Sequence, residues 1–418
     1  MTPVPSPPAP PVAPPSAPFL VSRIFLPFAL GYYLSYLLRT VNAVISPDLT
    51  RELGLNAADL GLLTSTYFFA FGLAQIPVGI ALDRFGPRRV ESALLLITAL
   101  GATLFALGED LPVLAGARGL IGFGVSACLM GGLKGFTLWF PRERLASLTG
   151  YIMSGGALGA VTASAPLEAA LPFIGWRGAF WAVAVLAAGI AALIFFAMPE
   201  KSSGHGGGDL QAALRGVKEV LSARRFWSFS GQAAFFTGGF MALQGLWAVP
   251  WLMQVNGYSR AVAADHLFWL NLGMLAGQLS IGAWATRLAA RGITPLRLMQ
   301  GGLFLTMLVE ALIIARLGPT QPLWCLLGIV SATGAQMYGV VAGLFPLHLS
   351  GRVTTSINLM AFVGAFAVQW GLGGLLDGLR AGGMSAATSL EVAFLILLAA
   401  QAASFVPLSR AGRYTPVH

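Results

Sequence analysis

The chain has 418 residues, of which 56% are hydrophobic and only 10% charged, with a mean hydropathy of +0.76. A soluble domain carries about 25% charged residues, so the composition excludes a wholly water-facing fold and makes lipid the solvent for most of the surface. The net charge of +9 is read as Lys and Arg concentrated in cytoplasmic loops rather than as a nucleic-acid footprint, and no nucleic-acid partner is expected.

Residues 1–18 hold nine Pro and no charged side chain. No core can be built from them, so a disordered, polyproline-like cytoplasmic tail is predicted, without a secretory signal. A spanning helix needs about 20 mainly apolar residues. Such segments are predicted at 19–46, 57–82, 90–108, 112–137, 148–170 and 176–198, then at 226–250, 262–286, 294–315, 321–345, 353–378 and 387–408. The chain thus divides into an N-terminal half (19–198), a cytoplasmic linker (199–225), a C-terminal half (226–408) and a tail (409–418). The linker opens on a Gly-rich stretch, 202–208, and an amphipathic helix is predicted over 209–223. Cys128 and Cys325 both lie in apolar segments and suggest no disulfide framework.

Orientation follows from the cations. With the tail inside, 17 of the 25 Lys and Arg fall on the cytoplasmic side and five on the outer side. The remaining three, Arg39, Arg118 and Lys134, fall within helices. This pattern predicts a multi-pass plasma (inner) membrane protein with both termini cytoplasmic. The halves also echo one another. Gly79 and Arg84 recur as Gly282 and Arg287, and Gln75 as Gln278, at a shift of 203; Phe140-Pro141 recurs as Phe345-Pro346 at 205. Such internal repeats are how many secondary transporters are built.

Arg39 is the sharpest feature of the first segment. Tyr32, Tyr36 and Arg39 fall at i, i+4 and i+7, with Ser35 and Asn42 flanking, so one polar stripe faces one way. An Arg within a bilayer costs about 2.5–3.5 kcal/mol on the insertion scale unless it faces water or a partner. Arg39 is therefore predicted to face a cavity and clamp an anionic group. The alternative is that it snorkels outward or pairs with Asp48 or Asp59. For Arg118, the alternative to a cavity role is neutralisation by Glu109 or Asp110. Lys134, near the cytoplasmic end of the fourth segment, is predicted to snorkel, and Glu310 to pair near Arg316.

The second half offers neutral groups. Gln244 and Trp247 lie one turn apart, and the shift of 205 sets Gln244 opposite Arg39. Asn271 and Gln278 mark the eighth segment, Gln336 and Tyr338 the tenth, and Asn358, Phe362 and Gln369 one face of the eleventh. Interhelical hydrogen bonding is the ordinary use of such amides. As a set, Gln244, Trp247, Gln336 and Asn358 suit the uncharged part of a small substrate. Rows of small residues, Gly155-x3-Gly159-x3-Ala163 and Gly273-x3-Gly277, predict close helix contact.

The turn Gly79-x3-Asp83-Arg84-x-Gly86-x-Arg88-Arg89 resembles the loop signature of the major facilitator superfamily of secondary transporters. The resemblance covers about residues 20–410. Support comes from the degenerate copy at 282–291, from Arg118-Gly119-Leu120-Ile121-Gly122-Phe123-Gly124 and from Gly175-Trp176-Arg177. It implies an all-α integral membrane protein of 12 transmembrane helices in two pseudo-symmetric six-helix halves, working by alternating access. It also implies a cavity or proton-relay role for Arg118, and a gating role for Gly79, Asp83, Arg84, Gly86, Arg88 and Arg89. Asp83 is expected near the start of the eleventh segment at 351–354, where backbone N–H groups favour an anion. Thr286 replaces Asp83 in the copy, which predicts a one-sided latch.

No His-Glu-x-x-His, phosphate-binding loop or Gly-x-Ser-x-Gly motif occurs, so no enzyme activity, metal or cofactor is expected. Ala163-Ser164 stands where drug–proton antiporters of the family place Gly-Pro, which disfavours multidrug efflux. Arg39 followed by Asn42 is loosely similar to the organic-anion symporter branch, although Leu38 stands where an acid often precedes that Arg. The predicted function is therefore monomeric transport of a small organic anion, with or without a co-transported ion. Efflux of a drug-like or cationic compound, and a non-transporting sensor or assembly factor, are the alternatives.

Overall fold

The computed structural model describes residues 16–199, 210–346 and 349–410. The Pro-rich tail, the Gly-rich part of the linker and most of the C-terminal tail lie outside them, as does the side chain of Thr286.

The described chain is almost entirely helical. We number the long helices α1 (Pro18–Leu53), α2 (57–85), α3 (87–107), α4 (Leu111–Trp139), α5 (Arg142–Thr162, resuming at 165–174) and α6 (176–197). They continue as α7 (224–254), α8 (Arg260–Ala290), α9 (Pro295–Ile314), α10 (Thr320–Ala342), α11 (Ser350–Ala381) and α12 (Ala386–Ser409). Among the described residues, eight helical spans are long and apolar enough to cross a membrane, two of them containing an internal break. The amphipathic helix Leu210–Ser222 stands where the sequence places it, and its Val220 is buried beside Phe226, Met299 and Val353.

Local chemistry sets the breaks. Gly86 adopts φ 78°, ψ 160°, which a side-chain-bearing residue rarely reaches, and Pro87 then opens α3. The turn is tighter than the sequence suggests, because helical residues run up to Gly86 itself. Gly175 (φ 64°) makes the matching break before α6. The motif it begins is an anchor: Trp176 Nε1 donates to Glu52 Oε2 at 2.6 Å, and Arg177 binds the same carboxylate and the Gly108 carbonyl. Arg88 does similar work at the other face, donating from Nε to the Phe195 carbonyl at 2.7 Å. At the predicted small-residue rows, a Cβ on Gly159 would run into the Tyr33 carbonyl of α1, and one on Gly273 into the Cys325 carbonyl of α10. Both rows are close-packed seams within one half.

The halves meet along α1–α7, α2–α11 and α5–α8. Helix α7 is unusual: two of its turns, Ala233–Thr237 and Leu243–Trp247, are widened to π geometry. The second contains Gln244.

Candidate functional site

A cavity of about 390 Å³ lies between the halves. Tyr32, Tyr36 and Arg39 enter it from α1, Phe71 and Gln75 from α2, and Gln244 from α7. Gln278, Tyr338, Asn358 and Phe362 close it from α8, α10 and α11. No Asp or Glu lines it among the described residues.

Arg39 is 4% exposed, with its guanidinium carbon 4.3 Å from the Tyr36 ring centroid, 5.6 Å from Phe362 and 5.7 Å from Phe71. Rings of both halves thus hold it by cation–π attraction. Its Nε is buried without a hydrogen-bond partner among the described residues. Neither predicted alternative partner takes it. Asp48 pairs with Arg51 and Arg260, and Asp59 closes a capping box with Asn56 at the start of α2.

Two amide networks cross between the halves. Tyr338 Oη donates to Asn358 Oδ1 at 2.9 Å, and Asn358 Nδ2 to Gln75 Oε1 at 3.2 Å. Gln244 Nε2 donates to Asn271 Oδ1 at 2.7 Å, and Asn271 Nδ2 to the Ala160 carbonyl at 2.9 Å. Gln75 and Gln278, matched at the repeat shift, both reach the cavity, as do Arg39 and Gln244.

Four predicted binding residues lie outside the cavity lining. Arg118 is fully buried behind α1, donating from Nη1 to the Leu38 carbonyl at 2.9 Å and lying 5.0 Å from the Tyr67 centroid. Of its two predicted neutralisers, Glu109 and Asp110, the latter instead caps α4 at Val113. Asn42 donates to Thr64 at 3.0 Å, and Trp247 to the Gln369 carbonyl at 3.2 Å. Gln336 sits on α10 two residues before Tyr338, which does line the cavity. Glu310 does not pair near Arg316. It accepts from Gln401 at 3.2 Å, while Arg316 pairs with Glu391.

One residue carries no signal in the sequence beyond its being an acid in an apolar segment. Glu91 of α3 is fully buried, and neither carboxyl oxygen has a hydrogen-bond partner among the described residues. It fits a slot made by Gly31 of α1 and Gly131 of α4, where a Cβ on either glycine would collide with it.

The two ends of the cavity differ. Toward the Asp83 face a vestibule of about 370 Å³ continues it, lined by Gly79, Asp83, Lys134, Arg352 and Thr355 and sharing Gln75 and Met130 with the central space. Asp83 pairs with Lys134 at 2.6 Å, so this Lys does not simply snorkel, and Arg352 of α11 shares the vestibule. The opposite end is shut. Asp377 of α11 accepts from the backbone N–H groups of Ala57 (3.2 Å) and Ala58 (2.7 Å) at the start of α2. Arg260 of α8 bridges Asp48 (2.6 Å) and Glu168 (2.8 Å) of the other half.

Comparison with known proteins agrees with this geometry. The family model of the Major Facilitator Superfamily matches residues 28–369, and the chain belongs to that family. Among curated proteins it is 26% identical over 176 residues to a probable sulfoacetate transporter of Cupriavidus necator, covering 42% of this chain and 41% of that one. It is 27% identical over 217 residues to a hexuronate transporter of Escherichia coli, covering 48% and 50%. A probable L-galactonate transporter of the same organism is 31% identical over 156 residues, covering 37% and 34%. The chain thus matches half or less of the length of these relatives. Among solved structures, a bacterial homologue of the human lysosomal transporter Spinster, inward-facing and occupied, superposes with a TM-score of 0.74 at 19% identity, covering 96% of this chain and 98% of that one. A nucleoside transporter superposes at 0.76 with 12% identity, covering 93% and 99%. These likenesses show the fold.

Proposed function

We propose that the protein is a secondary transporter of a small organic anion, working by alternating access. The observation that carries this reading is Arg39: a buried guanidinium at the cavity wall, flanked by rings and facing a space without a carboxylate. Electrostatics there favour an anion and disfavour a cation. Arg118, buried behind the same helix, adds a second positive charge to that end. The matched stretches of relatives named for sulfoacetate, hexuronate and galactonate support the same substrate class.

In this reading the Asp83 face is cytoplasmic, as the distribution of Lys and Arg requires, and both termini lie on that side of the plasma membrane. The structure is then the inward-open state: the vestibule leads inward, and Asp377 and Arg260 seal the outside. The repeat halves form the two rocking bodies, 19–198 and 226–408, joined by the linker 199–225. The protein acts as a monomer, with a co-transported ion or a counter-anion closing the cycle. Gly79, Asp83, Arg84, Gly86, Arg88 and Arg89 form the inner gate.

Purified protein in liposomes tests the reading. It should take up radiolabelled organic anions, trans-stimulated by unlabelled anion inside, and should leave organic cations outside. Flux of cations with no flux of anions would instead support efflux of a cationic compound.

A further inference from the structure

Resting on the organic-anion reading, we infer that the transported anion is a carboxylate with an apolar aliphatic or aromatic body, not a polyhydroxylated acid. Many of the polar groups on the cavity wall are already committed to protein partners. Tyr32 Oη donates to Met153 Sδ at 3.4 Å. Ser126, Thr306 and Ser331 donate to the carbonyls of their own helices at 2.6, 3.0 and 2.9 Å. Gln244 donates to Asn271 and Met274, Asn358 to Gln75, and Tyr338 to Asn358.

Two further amide oxygens on the wall, Gln232 Oε1 and Gln278 Oε1, are buried without a hydrogen-bond partner among the described residues, fewer acceptors than a sugar acid has hydroxyls; the body of the space is otherwise mainly apolar. Phe71, Phe236, Phe240, Phe362, Met130 and Met241 surround the body of the space. Methionine thioethers and ring faces adapt to varied apolar shapes but offer hydroxyls nothing to bond. Each substrate hydroxyl stripped of water and left unpaired there weakens binding about tenfold. Arg39 alone marks a charged end. The recognition pattern is one anionic head and one greasy body.

Binding to the purified full chain in detergent, followed by titration calorimetry, tests this. The probes are acetate, butanoate, hexanoate, 4-phenylbutanoate, its uncharged amide, and D-glucuronate, with Arg39→Gln protein in the same detergent as the blank. Affinity should rise about two- to fourfold per added methylene until the space is filled. 4-Phenylbutanoate should bind at least tenfold more tightly than glucuronate and than its own amide. Phe240→Ser should weaken 4-phenylbutanoate about tenfold and glucuronate by much less. A flat chain-length series, or tighter binding of glucuronate, overturns the apolar-body inference and leaves the organic-anion reading standing. Equal binding of amide and carboxylate, or no saturable binding of any carboxylate, overturns both. The amide comparison needs no variant, so the test survives if Arg39→Gln fails to fold.

Discussion

Arg39 is held by three rings contributed from both halves. Its role depends on a planar, delocalised cation that can stack and still present a fork to a carboxylate. Arg39→Ala should abolish anion uptake while the protein stays folded in the membrane. Arg39→Lys should leave uptake below about a tenth, because an ammonium keeps the charge and loses the plane and the fork. Flux into liposomes, with melting temperature as the control for folding, reads both; full activity in either variant removes Arg39 from the site. Trp247 gives the opposite expectation. Its indole ties α7 to the Gln369 carbonyl away from the cavity. Trp247→Phe should therefore cost about 1 kcal/mol of stability and leave substrate affinity within about twofold, as thermal unfolding and binding on one preparation would show. The i, i+4, i+7 stripe of Tyr32, Tyr36 and Arg39 was legible in the sequence because helical periodicity alone puts these residues on one face. Periodicity does not say which neighbour covers each turn. Asn42, one turn further on, meets Thr64, and Arg118 and Glu91 are turned to their surroundings by packing between helices.

At the scale of elements, apolar run length located the helices well and their junctions less well. The turn after α2 reads as a loop from its charges, yet helical backbone continues to Gly86, and only that residue breaks it. A single φ of 78° is invisible to hydropathy, although a Gly before a Pro is its trace in the sequence. Gly86→Ala should destabilise the protein by about 1–3 kcal/mol and lower its melting temperature, while Gly79→Ala, whose added Cβ would meet open space, should leave it nearly unchanged. Equal melting of the two variants would show that the backbone at Gly86 relaxes without strain. The π turns of α7 carry no such trace. They arise where α7 packs against α11 and α1, and the sequence there is ordinary for a membrane helix.

At the scale of the whole molecule, the repeat predicts more than a common ancestry of halves; it predicts a pair of related latches. Asp377, at the far end of α11, accepts from two backbone N–H groups at the start of α2. Asp83, at the far end of α2, shares a vestibule with Arg352 in the first turn of α11. One carboxylate is engaged on the closed face. The other lies across the open one, where it pairs with Lys134 at 2.6 Å. To the latch expected at Asp83, the reading proposed here adds a second at Asp377, of opposite effect. A carboxylate on a helix N-terminus is worth about 1–2 kcal/mol in partly buried geometry, which corresponds to a five- to thirtyfold change in the balance between two states. Asp377→Asn should therefore shift the protein toward the state open on the Asp377 face. Asp83→Asn should shift it further toward the state seen here, and the double variant should return close to the wild-type balance. Spin-label distances across each face, measured in lipid nanodiscs for all four proteins, report the populations directly. A common direction of shift for both single variants would mean that the two carboxylates do not hold opposing states, and the alternating cycle would then need another pair of contacts to govern it.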